Sequence, residues 1–248
     1  MRGALAKLLA AWRRLRLAGW AAQGRMRMRW VGIRLDVDAG EGVVFARSPF
    51  LLAGVEPPAG RPGSLRIRIG RKVRFAPGAI IEAEPGRDSV LEIGDGTRIG
   101  ANVHVHLRGG SVRIGSNSEI RDHCVLKTSG GEIVIGSHCF MSYGCVLHAT
   151  ERVEMEERVA IGERVTLVDS GHETDGSERH WAVQGVPTAP VVIGANTLLF
   201  ANVVAAMGAH VGANSQVAAG ALIRGEHPPG VLLAGVPAKV VRDLGDAE

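Results

Sequence analysis

LVDSGHETDGSERHWAVQGVPTAPVVIGANTLLFANVVAAMGAHVGANSQVAAGALIRGEHPPGVLLAGVPAKVVR, residues 167–242, splices a polar loop into a strict six-residue rhythm. Ile193, Leu199, Ala205, Val211, Val217 and Ile223 stand six apart, and Gly follows in Ile193-Gly194 and Val211-Gly212. Four places after each come Thr197, Val203, Ala209, Ser215, Ala221 and His227, mostly small or β-branched. A period of six fits neither a lone helix nor a lone strand. It fits a chain that turns a corner at every sixth residue and completes a triangular coil after three hexads, the sequence mark of a parallel β-helix.

The rhythm extends upstream. Ile69-Gly70, Ile93-Gly94, Ile99-Gly100, Ile114-Gly115, Ile135-Gly136 and Ile161-Gly162 all open hexads. Ile93, Ile114 and Ile135 lie 21 residues apart, and the three residues beyond three hexads fall at Arg108-Gly109-Gly110 and Ser129-Gly130-Gly131. Such glycine pairs are turn chemistry at one corner. The repeat body is therefore expected over residues 65–225, with coils opening near Ile69, Ile93, Ile114, Ile135, Met155, Ile193 and Val211. Residues 31–64, short apolar runs between turn clusters, are expected to cap the open edge of the first coil. Residues 226–248 leave the coil through His227-Pro228-Pro229-Gly230 as a C-terminal extension.

Aromatic residues are 4% of the chain and glycine numbers 34, a balance suited to a narrow interior of Ile, Val and Ala with Gly at the corners. No run of 18 apolar residues occurs, which argues against a transmembrane helix. Net charge is +4, yet residues 1–30 hold eight Arg or Lys and no acid, so the body is mildly acidic. Without an aromatic-studded basic surface, nucleic acid is not the expected partner. Residues 1–30 read as an imperfect amphipathic helix, with Leu5, Leu8, Leu9, Trp12 and Leu15 on one face and Arg16 intruding. Basic helices attach to anionic membrane surfaces, so peripheral contact is one reading of this segment in an expected cytoplasmic protein. A solvated or subunit-packing extension is the plainer alternative. The segment lacks the small-residue cleavage site of a secretory signal. Cys124, Cys139 and Cys145 share one hexad place, held elsewhere by Val103, Val159 and Val165, and are expected as reduced core residues in a reducing compartment.

Between Leu167 and Val191 the rhythm stops. Interruptions of a solenoid become loops on one face, often the working face. The loop 169–190 carries Asp169, His172, Glu173, Asp175, Glu178, His180 and Trp181. Gly171-His172 is followed by Pro190-Val191-Val192-Ile193-Gly194, two coils, Val217-Ala218-Ala219-Gly220, Pro228-Pro229 and Ala234-Gly235-Val236-Pro237-Ala238-Lys239. This ensemble resembles the hexapeptide-repeat acyltransferases, most closely the galactoside, maltose and xenobiotic O-acetyltransferases and their polysaccharide-modifying relatives. The resemblance implies an all-β, left-handed parallel β-helix, an exception to the right-handed crossover rule. It implies a homotrimer with active sites in clefts between neighbours, and acetyl-coenzyme A as acyl donor along the C-terminal coils. His172 matches the histidine that deprotonates an acceptor hydroxyl, and Ser142 falls near the acceptor. Ala201, Ala219, Arg224, Lys239 and Arg242 fall where relatives contact coenzyme A. Two places depart: Leu198-Leu199-Phe200 replaces the usual Trp-Ile-Gly, and Gly225 follows Arg224 where a second basic residue is usual.

An alcohol is a poor nucleophile until its proton is taken, and histidine, with an ordinary pKa of about 6.5, is suited to take it near neutrality. A backbone N–H would stabilise the tetrahedral oxyanion. Asp169 is a candidate to orient the imidazole, against a plain turn role. Trp181 either stacks on an acceptor sugar or packs against a neighbouring subunit, and His180 is read as rim. Arg224, Lys239 and Arg242 supply charge for phosphates. No metal is expected. A rival reading, a metal-dependent lyase of the carbonic anhydrase type, needs three histidine ligands. His106 and His148 share a hexad place two coils apart, but Lys127 stands between them, and His104 is assigned to the opposite face of its strand from His106. A catalytically degenerate scaffold is the other rival. No residue fixes the acceptor beyond a sugar or polysaccharide hydroxyl, or the acyl length.

Overall fold

The computed structural model describes residues 2–54 and 62–245, with the side chains of residues 2–6 and of Leu9 left outside that description. Ile69, Ile93, Ile114, Ile135, Met155, Ile193 and Val211 stand one above another in parallel register, each 4% exposed or less. Each such buried side chain contributes roughly 1.5–3 kcal/mol relative to exposure. A second ladder runs from Phe75 through Ile99, Ile120, Met141, Ile161, Leu199 and Val217 to Leu233. A third runs from Ile81 through Val105, Leu126, Leu147, Leu167 and Ala205 to Ile223. These line the inner faces of three sheets of nine, ten and eight strands among the described residues. The chain is a left-handed parallel β-helix, with coils spaced by roughly the 4.8 Å of paired strands.

The corners explain the period. A sharp bend needs one residue in the left-handed backbone region, which glycine and asparagine enter at least cost. Such residues recur six apart: Gly96 and Asn102, Asn117 and His123, His138 and Gly144, then Asn196, Asn202, Gly208, Asn214 and Gly220.

The coil begins one turn earlier than the sequence suggests. Ile33–Ala39 pairs with Gly63–Ile69, Val44–Phe45 with Arg74–Phe75, and Phe50–Ala53 with Ile80–Ala83. Residues 33–53 are thus a complete coil rather than a cap. Ala39-Gly40, Phe45 and Leu51 keep the hexad phase, but alanine at the opening position hides it. At the other end Glu226–His227 still pairs in the first sheet and Val231–Gly235 in the second, so the coil outlasts residue 225. Ala238–Asp243 then folds back antiparallel on Val231–Gly235.

The cap is helix α1, Arg2–Trp30. Leu17, Trp20, Ala21 and Met28 pack on the first coil. Trp20 Nε1 donates to Pro49 O at 2.7 Å, and its ring lies 5.3 Å from that of Phe45. A Cβ at Gly24 would collide with Leu51 and Leu35, so glycine permits the close approach. The packing face is not the one singled out in the sequence: Leu8, Trp12 and Leu15 point outward, while Leu5 and Leu9 lie outside the described side chains.

Candidate functional site

The excursion 169–190 leaves the coils at the edge between the third and first sheets, after Thr166–Val168 and before Val191–Ile193. Its neck is a short antiparallel ribbon. Ala189 N–H donates to Asp169 O at 2.9 Å, Gly171 N–H to Pro187 O at 3.3 Å, and Ser170 bridges Thr188. Beyond the neck nearly every residue is exposed. His172 lies there, its ring meeting Trp181 edge to face at 4.5 Å and 81°. Trp181 opens a short 3-10 turn, Trp181–Val183, capped by His180 Nδ1 accepting from Ala182 N–H at 3.2 Å. His180 in turn stacks on Trp181.

Asp169 does not reach this group. Its side chain is fully buried and accepts from three backbone N–H groups of the turn beneath: Thr150 at 2.8 Å, Glu151 at 2.7 Å and Arg152 at 2.6 Å. The chain departs into the loop above that turn, so these donors would lack the next coil's partners, and a buried unpaired N–H is costly. The expected orienting role is therefore replaced by an anchoring one. The brace on His172 is Trp181.

Ser142 is buried at the edge between the second and third sheets, donating Oγ–H to Glu163 at 2.8 Å. That bond holds the Glu163 carboxyl below its ordinary range. Ala201 and Ala219 lie at successive corners of the same edge, linked by Gly220 N–H donating to Ala201 O at 3.0 Å. Arg224 is exposed at the loop's own edge, two coils further on. Lys239 and Arg242 are exposed on the returning strand, paired with Ala234 and Leu232. Within one chain, then, His172 stands at one prism edge and the Ser142–Ala201–Ala219 column at another. Gly225, the departure from the basic pair, has φ +67°, a left-handed corner. Phe200 points outward beside Ala201 while Leu199 fills the core.

Sequence reasoning missed one cluster beside Ser142. Arg121 donates to the Tyr143 hydroxyl at 3.0 Å and lies over the rings of Phe140 and Tyr143 at 5.4 and 5.6 Å. The available signal was the chain's single tyrosine at a corner next to Ser142.

A family model described as the hexapeptide repeat of succinyl-transferase matches residues 90–126 and 190–224. These are the stretches that build the third and fourth coils and the two coils after the loop. Those two stretches of the chain match the hexapeptide repeat. It is 32% identical over 96 residues to the galactoside O-acetyltransferase of Escherichia coli (strain K12), covering 39% of this chain and 46% of that one. It is 31% identical over 110 residues to a putative acetyltransferase of Saccharomyces cerevisiae, covering 44% and 55%. The chain thus spans about half the length of these curated relatives. Its fold is similar to a mutant of an N-acyltransferase from Bacillus cereus solved with dTDP and coenzyme A, with TM-score 0.52 and 17% identity over 61% of this chain and 83% of that one.

The hexapeptide repeat also accounts for most of the nine histidines. His123 and His138 are left-handed corner residues with φ 62° and 59°. His210 is exposed on the first sheet, and His227 tops the inward isoleucine ladder above Val211. His104, His106 and His148 lie on the outer face of the third sheet, where Lys127 pairs with both His106 and His148. Burial, then the Lys127 ammonium, holds the His148 imidazole below its ordinary range. The assignment of His104 and His106 to opposite faces is corrected: residues two apart in a strand share a face. Their rings stack at 5.6 Å. With Glu82 they form a group whose donor atoms lie within 4.8 Å of one another, close enough to share a metal ion. Each imidazole already has a carboxylate, Glu82 at 2.7 Å from His104 and Glu84 at 3.2 Å from His106. Arg108, 3.9 Å from Glu84, and Lys127 beside His106 place cationic charge there that opposes a further cation. The three cysteines are buried and unpaired, and burial pushes the Cys139 thiol up.

Proposed function

We propose that this protein is an acyl-coenzyme A-dependent O-acyltransferase, moving acetyl from the coenzyme A thioester to a hydroxyl of a sugar or polysaccharide. His172 is the general base. Its free ring nitrogen takes the hydroxyl proton as the oxygen attacks the thioester carbonyl. The tetrahedral oxyanion collapses, the carbon–sulfur bond breaks, and the proton passes to the leaving sulfur, giving an ester and free coenzyme A. The observation that carries the reading is His172 itself, held clear of the coils on an anchored ribbon with its ring braced by Trp181. Arg224, Lys239 and Arg242 are exposed cations suited to the coenzyme's phosphates, and the column of Ala201 and Ala219 leaves room for its pantetheine arm. The galactoside O-acetyltransferase among the relatives supports the reaction class.

The assembly is read as a homotrimer. His172 and the Ser142–Ala219 column lie at edges separated by the width of the third sheet, whose four-residue strands span roughly 13 Å. A site joining them takes the loop of one subunit and the column of its neighbour. Three unpaired thiols suit a reducing, cytoplasmic setting. Among the described residues no helix is long and apolar enough to cross a membrane. Residues 1–30 are read as a peripheral contact.

The test is thiol release from acetyl-coenzyme A across a panel of sugars, with wild type and His172→Ala. Loss of the base lowers turnover by about 10²–10⁴-fold. Near-normal release by His172→Ala with acceptor bound would sink the assignment. Coenzyme A at 100 times its Kd stabilises the fold by about 2.7 kcal/mol in a thermal melt, and a flat response identifies a scaffold instead.

A further inference from the structure

We propose that the outward face of the N-terminal helix docks onto an anionic lipid bilayer, so that the β-helix stands end-on to the membrane. The inference rests on the peripheral contact read above for residues 1–30, which it deepens, and survives if His172 proves to have another role.

Helix α1 carries two apolar stripes. Leu17, Trp20, Ala21, Gly24 and Met28 face the first coil and are covered by it. Leu8, Trp12, Leu15, Gly19, Ala22, Met26 and Trp30 follow one another at steps of three or four residues. At 3.6 residues per turn they form a second stripe on the opposite side. Among the described residues that side packs on nothing: Trp12 is 54% exposed, Leu15 71%, Met26 64% and Trp30 87%. A solvated helix face does not need two tryptophans, a methionine and two leucines in line.

The charge flanking this stripe identifies its occupant. Arg16 and Arg27 border one side, and Lys7, Arg25 and Arg29 the other, with no acidic residue anywhere in Arg2–Trp30. The Arg16 guanidinium lies 4.7 Å over the Trp12 ring, its apolar stem alongside the stripe. Arg25, Arg29 and Arg34 also line a groove of about 480 Å³ where the helix meets the first coil, and none of its described lining residues is acidic. A second copy of the helix would bring like charge against like charge. An anionic bilayer offers acyl chains to the stripe and phosphates to the arginines, with tryptophan at the depth it favours.

The geometry fixes the orientation. The helix lies across the open end of the first coil, and the loop bearing His172 leaves the sixth coil, five steps up. At the spacing of paired strands that sets the loop roughly 24 Å above the docked end.

The experiment is flotation of the full chain with vesicles of phosphatidylcholine, with and without phosphatidylglycerol, at low and high salt. The wild type floats with the anionic vesicles and is released by salt. The double variant Leu15→Glu/Trp30→Glu binds them at least about tenfold more weakly, with unchanged circular dichroism and gel-filtration size, because both positions lie off the packing face. In the wild type, brominated lipids quench tryptophan fluorescence, a readout that needs no variant. Equal flotation of the double variant overturns the proposal, as does absence of quenching. So does a lipid-free oligomer that dissociates in the double variant, since a second copy would then be what covers the stripe.

Discussion

Asp169 and His172 lie three residues apart, and their side chains meet unrelated partners. His172 was legible because it stands where the six-residue rhythm fails, and solenoid interruptions become surface loops. Asp169 was not legible in its actual role. Its partners are the backbone N–H groups of Thr150, Glu151 and Arg152, and a backbone donor leaves no trace in residue identity. Proximity in sequence suggested a catalytic pair, and three short hydrogen bonds pointing the other way decide against it. Asp169→Ala is expected to lower stability on the order of 3 kcal/mol, since it leaves buried donors unsatisfied. Asp169→Asn recovers little of that, because its NH₂ group is a donor facing donors. Urea melts of the two variants check this. A loss of turnover with stability intact would return Asp169 to the orienting role.

Elements are set by the corners as much as by the ladders. The hexad openers Ile69 to Val211 announced the three-sided coil because each inward place repeats a buried aliphatic residue. The first coil escaped notice because Ala39 and Phe45 stand where an isoleucine ladder continues below them, and because its lid is a helix. The identity of that lid's packing face was hidden for a different reason: α1 has two apolar stripes, and periodicity alone gives no preference between them. The corner chemistry makes a sharper prediction. Asn117 holds φ 55°, a region β-branched residues reach only under strain. Asn117→Val is expected to cost about 1–3 kcal/mol, and Asn117→Gly much less, in paired thermal melts. Equal effects of the two would show that side-chain contacts, not backbone conformation, set the cost at that corner.

At the scale of the whole molecule, the column of Ser142, Ala201 and Ala219 was legible only through resemblance, because a column along a prism edge is assembled from residues far apart in sequence. Its separation from His172 by a full sheet makes the proposed reaction a property of two chains. Two lesions then need not add. His172→Ala removes the proposed base from one edge, and Ala219→Trp fills the proposed donor channel at the other while leaving the core untouched, since Ala219 is exposed. In a homotrimer bearing either change alone, every composite site is damaged. In the proposed trimer, co-expressing the two variants yields mixed assemblies in which some junctions pair an intact loop from one subunit with an intact column from its neighbour, and such junctions follow from cyclic symmetry. Activity in the mixed population is therefore expected to rise well above that of either parent, measured by thiol release on trimers carrying two different tags. If each chain held its own complete site, the mixture would contain only damaged sites and no activity would return.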